Sequence, residues 1–194
     1  MLADAELGAI WRAAGDDDYG RIVKLLILTA ARRAEIGGLC WAELDFGAGV
    51  WTLPAARAKN RRAHVLPIMP MMAAIIESLP RRATRDQVFG ERGAGGFAGW
   101  TSNKNALDVR AGVTGWVLHD IRRSVATGMA NLGVQPHIIE EVLGHSGGHK
   151  AGVAGIYNKA TYAAAVRGAL GVWHDHIRAI VGGGERKVVP FATP

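Results

Sequence analysis

The sequence predicts an α+β domain that is mostly α, with helices arranged around a small three-stranded antiparallel sheet. Three observations carry this. Apolar residues recur at helical spacing through both ends of the chain. Between them three short extended runs, WAELDF, VWTLP and RAHVLPI, follow one another between residues 41 and 68. Glycine or proline punctuates many of the junctions. A chain of 194 residues is long enough to bury its own core.

Taken in order, residues 4–14 show a helical period in Leu7, Ile10 and Trp11, and residues 19–31 form a second helix with a buried centre, KLLILTAA. ARRAEIGGLCW continues as a short helix that Gly37 and Gly38 bring to an end. The three extended runs come next. Pro70 opens MPMMAAIIESLP, since proline is preorganised for a first helical turn. The glycine-rich ERGAGGFAG reads as a mobile loop. Helices are then expected over AGWTSNKNALDVRAG, LHDIRRSVATGMANLG, QPHIIEEVLGH and the Ala-rich residues 160–182. Residues 183–194 have turn residues and little period, which predicts a flexible tail.

Lys and Arg number 23 against 17 Asp and Glu, a formal net charge of +6 that favours a polyanionic partner, nucleic acid first. The single cysteine, Cys40, excludes an intramolecular disulfide and suits a reducing compartment; its apolar context places it in the core. No apolar run approaches the roughly 18 residues needed to span a bilayer, and the N-terminus lacks a basic region followed by an apolar one. A soluble cytoplasmic protein with no membrane partner is expected.

Four segments could carry chemistry. In HDIRRS, His119 and Arg122 are three apart and share a helix face, while Arg123 points elsewhere. Arginine offers paired donors that suit a phosphate, and histidine a donor or proton carrier near neutral pH. A solvated basic face would have the same signature. The puzzle is why cations gather where the helix dipole disfavours them. In LTAARRAEIGGLCW, Arg32 and Glu35 are again three apart, so Arg32 could enter a cleft that Glu35 steadies; surface charge and a surface ion pair fit the residues equally. In LPAARAKNRRAHVLPI, basic residues crowd a connection between strands, and Lys59 is best placed to reach a groove as a mobile proton donor, if this is not an ordinary charged turn. In EVLGHSGGHKAGVAGIYNKATY, His145 follows a helix closed by glycine, and Tyr157 sits in a glycine-dotted stretch. A tyrosine is more often a packing residue, but one beside a phosphate site can be a nucleophile.

Together these groups fit attack of tyrosine on a DNA phosphodiester, giving a 3′-phosphotyrosyl bond and a 5′-hydroxyl with no ATP. The four segments, in this order, resemble the tyrosine recombinases of the phage-integrase family, from ADAELGAIW to the final helix. The family's T-G-x-R-x-x-E-I-x-x-L pattern is matched by TAARRAEIGGL, with Ala30 in place of glycine, and maps Arg32 and Glu35. Its H-x-x-R box is HDIR, giving His119 and Arg122; its L-G-H is LGHS, giving His145. The hairpin lysine maps to Lys59, with Arg57, Arg61 and Arg62 beside it, and Tyr157 resembles the nucleophile, with Tyr162 as a rival.

The resemblance implies the catalytic fold of DNA breaking-rejoining enzymes and a catalytic set of Arg32, Lys59, His119, Arg122, His145 and Tyr157. Glu35 supports that set, and Arg61, Arg62 and Arg123 are expected to contact DNA. It implies duplex DNA as partner, no cofactor, no metal, and a mobile element as source. Residues 1–182 would be the catalytic domain, without the family's N-terminal core-binding and arm-binding domains; a monomer is expected alone and a tetrameric synapse for a full-length protein on DNA. Alternatives are type IB topoisomerase-like cleavage and resealing, or an inactive DNA-binding regulator. The sequence shows no carboxylate cluster suited to Mg²⁺ and no zinc spacing, and His149, His174 and His176 are expected at the surface.

Overall fold

The computed structural model describes residues 1–90, 96–145 and 159–182, the last of these with side chains from Tyr162 onward. Eight helices and one sheet are seen among them: α1 (Asp4–Ala13), α2 (Asp18–Thr29), α3 (Arg33–Gly37), β1 (Leu44–Asp45), β2 (Val50–Leu53), β3 (His64–Pro67), α4 (Pro70–Glu77), α5 (Trp100–Ala111), α6 (Leu118–Asn131), α7 (Pro136–Leu143) and α8 (Lys159–Val181). The strands are antiparallel in the order β1-β2-β3, with Trp51 opposite both Leu44 and Leu66. The predicted class is the observed one.

Helix α2 is the centre of the molecule. Ile22, Val23, Leu25, Leu26, Ile27 and Leu28 are all buried, so the run without a polar face is enclosed by α1, α3, α4, α6 and α8. Asp17 caps its start by accepting the Gly20 amide at 2.7 Å. Its far end stops at Ala30, which adopts the left-handed conformation (φ 54°). This is the position where the resembled pattern has glycine, whose missing Cβ removes a cost of about 1 kcal/mol or more. Alanine bears that strain here.

The last turn of α2 leaves carbonyls without helical partners, and residues from distant segments satisfy them. Trp173 Nε1 donates to Ile27 O at 2.7 Å, and His174 Nε2 lies 3.0 Å from Leu28 O. Arg122 donates to Ala30 O. Gly128 of α6 permits this: a Cβ there would fall 2.5 Å from the Trp173 ring. His174 and His176 are therefore buried, not at the surface as expected. Their polar atoms serve α2 and, for His176, Asp4 of α1 at 3.2 Å.

Other expectations need revision. WAELDF is a 3₁₀ turn, Trp41–Glu43, followed by a two-residue strand, because Glu43 turns inward to accept from Trp51 Nε1 at 3.1 Å. Cys40 is half-buried at a bridge to Gln87 rather than in the core. Arg32 precedes α3 instead of lying within it. Of the segment read as a mobile loop, 91–99, residues 96–99 are described and Phe97 is packed against Tyr19 and Trp100; residues 91–95, the tail (183–194), His149 and Tyr157 lie outside the described residues.

Burial pushes the imidazoles of His64 and His174 below the ordinary value of 6.5, against the opposing pull of the carbonyls of Glu141 and Leu28. A depressed histidine is neutral in the folded state while its unfolded counterpart takes up a proton, so stability is full above about pH 6.5 and falls as pH drops through the folded values. Urea midpoints are accordingly expected to fall between pH 7.5 and pH 5. The double variant His64→Gln, His174→Gln should be less stable at pH 7.5 but flatter in pH; an unchanged slope would assign the acid sensitivity to other groups.

Candidate active site

Arg32 is held at the turn between α2 and α3 by Glu35. The Glu35 carboxylate accepts the Arg32 amide at 2.8 Å and its guanidinium at 2.9 Å. This is a helix-start cap that also aims the side chain, and the Glu35 side chain is only 5% exposed. Glu35 is thus a buried positioning group rather than a surface ion-pair partner.

Arg122 resolves the puzzle of cations at a helix start. Its guanidinium turns away from its own helix toward the carboxyl ends of two others, donating to Ala30 O after α2 and to Leu143 O of α7, the latter at 2.6 Å. Helix carboxyl ends carry partial negative charge, so the cation is welcome there. At the start of α6 the charge near the exposed amides is instead Asp120, which accepts the Val117 amide at 3.0 Å. Arg122 is nevertheless only 5% exposed. Burial, reinforced by the neighbouring positive Arg32, lowers its pKa to about 10, with Glu35 and Glu140 opposing. It remains cationic at neutral pH, and two neighbouring guanidiniums form a place where an anion is favoured.

Gly144, left-handed at φ 62°, ends α7 and launches His145. Arg122 Nη2 lies 3.1 Å from His145 Nε2, and His145 Nδ1 lies 2.7 Å from Glu140 Oε2. Because arginine only donates, Nε2 accepts and the proton sits on Nδ1, donated to Glu140.

Arg32, Lys59, His119 and Arg122 line one cleft of about 490 Å³, which is also lined by Trp100, Thr101, Lys104 and Asn105 of α5 and by Trp116 before α6. His145 joins the group through Arg122. Lys59 is exposed on the β2–β3 connection, as are Arg61 and Arg62; Arg123 is exposed and pairs with Asp120 at 3.4 Å. Tyr162, the rival, half-buried on α8, faces His137 with ring centroids 6.0 Å apart and does not line this cleft.

Sequence reading missed what ties the hairpin down. Arg57 pairs with Glu43 (Nε to Oε1 2.6 Å), donates to Glu35 O at 2.8 Å, and also donates to Gly38 O. Asn60 donates to Gly144 O at 2.9 Å. The two residues flanking Lys59 at close range thus bind the hairpin to the Arg32 and His145 segments. Arg57 was visible only as one more basic residue, because its partners are far away in sequence. The α5 wall gave no signal either, its one buried residue being Leu107. Among the described residues no His, Cys, Asp and Glu cluster suited to a metal ion is found, and no helix is long and apolar enough to cross a membrane.

The model of the phage integrase family matches residues 9–163, which contain every segment of this cleft. The chain belongs to that family. Among curated relatives, prophage integrase IntA of Escherichia coli (strain K12) is 33% identical over 155 residues, covering 79% of this chain and 37% of the relative. Prophage integrase IntZ of the same organism is 28% identical over 194 residues, covering 96% and 47%. This integrase-family chain thus spans less than half the length of either relative. Its fold is that of solved recombinase structures. XerA recombinase superposes with a TM-score of 0.62 at 22% identity, over 86% of this chain and 61% of that one. The catalytic domain of bacteriophage HP1 integrase does so with 0.56 at 20%, over 84% and 88%.

Proposed function

We propose that this chain is the catalytic part of a tyrosine recombinase that cleaves and rejoins duplex DNA at specific sites through a 3′-phosphotyrosyl intermediate. The observation that carries the reading is the meeting of Arg32, Lys59, His119 and Arg122 on one cleft, with His145 hydrogen-bonded to Arg122. Their order along the chain is the order of the family pattern. Residues 1–182 form the catalytic unit in this reading, and any site-reading domains would belong to other parts of a longer protein.

In the reaction the Tyr157 hydroxyl oxygen attacks the scissile phosphorus. The Tyr–P bond forms, the P–O5′ bond breaks, and the 5′-oxygen departs with a proton. Arg32 and Arg122 hold the non-bridging oxygens, where negative charge grows in the transition state, and such preorganised donors are a dominant contribution in sites of this kind. A free phenol is almost fully protonated near neutral pH, its pKa being about 10, so an imidazole of the cleft, His119, takes the proton. Lys59 protonates the leaving oxygen. Attack by the 5′-hydroxyl of another strand on the phosphotyrosine reverses each step and completes the exchange. The chemistry needs neither ATP nor a cofactor.

The test uses nicked suicide duplexes with oxygen or sulfur at the leaving 5′ position. The chain should form a covalent adduct on both. Lys59→Ala should lose the oxygen substrate and keep the sulfur one, because a thiolate leaves without protonation. Failure of the unaltered chain to form any adduct would sink the function; rescue of Arg61→Ala in place of Lys59→Ala would move the acid along the hairpin.

A further inference from the structure

The α5 wall of the cleft is not explained by the proposed chemistry. Thr101, Lys104 and Asn105 recur at spacings of three and four, so they occupy one face of α5, and all three line the same cleft as Arg32 and Arg122. A helix with a single buried residue, Leu107, leaves a polar face that its packing on α1 does not require.

Lys104 is held in an unusual way. Its ammonium lies 2.7 and 2.6 Å from the two Asp108 oxygens and 3.9 Å from the centroid of the Trp116 ring. The lysine and aspartate side chains are only 16% and 18% exposed. Trp116 and Lys104 both line the cleft, whereas Asp108, one turn further along α5, does not. An ammonium has three donors, and Asp108 engages two. The indole face, attractive to cations, keeps the ammonium at the wall.

The geometry points to Lys104 as a phosphate contact of the bound duplex that Asp108 holds back in the free protein. This rests on the cleft being the DNA site. A phosphate entering the cleft beside Arg32 and Arg122 meets Lys104 as a third cation, and the ammonium exchanges one carboxylate oxygen for a phosphate oxygen while Trp116 keeps it in place. Without DNA, Asp108 neutralises it, which weakens capture of arbitrary polyanions. Asp108 therefore lowers affinity through Lys104.

Each phosphate neutralised by a cation adds about 0.9 to the slope of log affinity against log salt. Binding of a labelled duplex is measured by fluorescence anisotropy between 50 and 200 mM salt for the chain and four variants. Lys104→Ala should reduce the slope by about 0.9, so that affinity falls roughly threefold less across this range than in the unaltered chain. Lys104→Arg should restore it. Asp108→Asn should bind more tightly, and the double variant Lys104→Ala, Asp108→Asn should match Lys104→Ala alone. An unchanged slope in Lys104→Ala overturns the inference while leaving DNA binding intact. Equal tightening by Asp108→Asn with and without Lys104 overturns it too, since Asp108 would then act as a general negative charge. Absence of any binding by the unaltered chain at 50 mM salt would remove the DNA reading itself, a separate result.

Discussion

Tyr157→Phe is expected to abolish covalent attachment to a nicked suicide duplex while leaving duplex affinity nearly unchanged. In the proposed function the substitution removes the attacking oxygen and keeps the ring, and the cations assigned to the phosphate remain. The comparison that gives the result its meaning is Tyr162→Phe. Tyr162 packs beside His137 and lines the space between β3 and α8, away from the cleft that gathers Arg32 and Arg122. Its variant should form adduct as the unaltered chain does. Denaturing gels read the adduct, and peptide mapping reads the attachment point. Adduct that persists in Tyr157→Phe and vanishes in Tyr162→Phe would reverse the assignment.

Arg122→Lys and Arg32→Lys should both slow cleavage a hundredfold or more, since losing one transition-state donor costs on the order of 3 kcal/mol and lysine keeps charge without the planar fork. Their stabilities should differ. Arg32 is partly exposed and its side chain pairs with Glu35, so its variant should melt near the unaltered temperature. Arg122 serves Ala30 O, Leu143 O and His145 at once in a buried setting. A lysine there leaves buried acceptors poorly paired at about 1–3 kcal/mol each. For a chain of this size each kcal/mol moves the melting temperature by roughly 2–4 °C, so a drop on the order of 10 °C is expected. Cleavage by single turnover and melting by circular dichroism separate the two roles. Parallel losses of affinity and cleavage in both variants would reduce these arginines to phosphate anchors.

The legible parts of the chain were those written in local pattern. KLLILTAA announced a buried helix because no polar face interrupts it, and Arg32, Glu35, His119 and Arg122 were legible because a spacing of three puts side chains together on a helix or across its cap. What the sequence hid was closure over distance. Arg57 takes its meaning from Glu43 and the α3 backbone. His174 was misread because WHDHI resembles a solvated stretch; its ring reaches the unpaired end of α2 only once α8 has docked. Glu43 lies in a run read as extended, and a buried indole in that run's partner strand turns it inward. Ala30 shows the reverse case: a departure from the family pattern became intelligible through its backbone angle.

The end of α2 also dictates the order in which this molecule can become competent. Its carbonyls are closed by Arg122, 92 positions after Ala30, and by Trp173 and His174, each 146 positions after its acceptor. Contacts of such long separation form late, because the chain between them must first be ordered. During synthesis, α8 is still unmade when the segments bearing Arg32, Lys59 and Arg122 have emerged. A partial chain then carries most of the cleft's cations but lacks the two side chains that finish the seat on which Arg122 rests. In the proposed function, the cutting centre is thereby tied to the synthesis and docking of α8, a delay between the appearance of a cationic cleft and the closing of the α2 end beside Arg122.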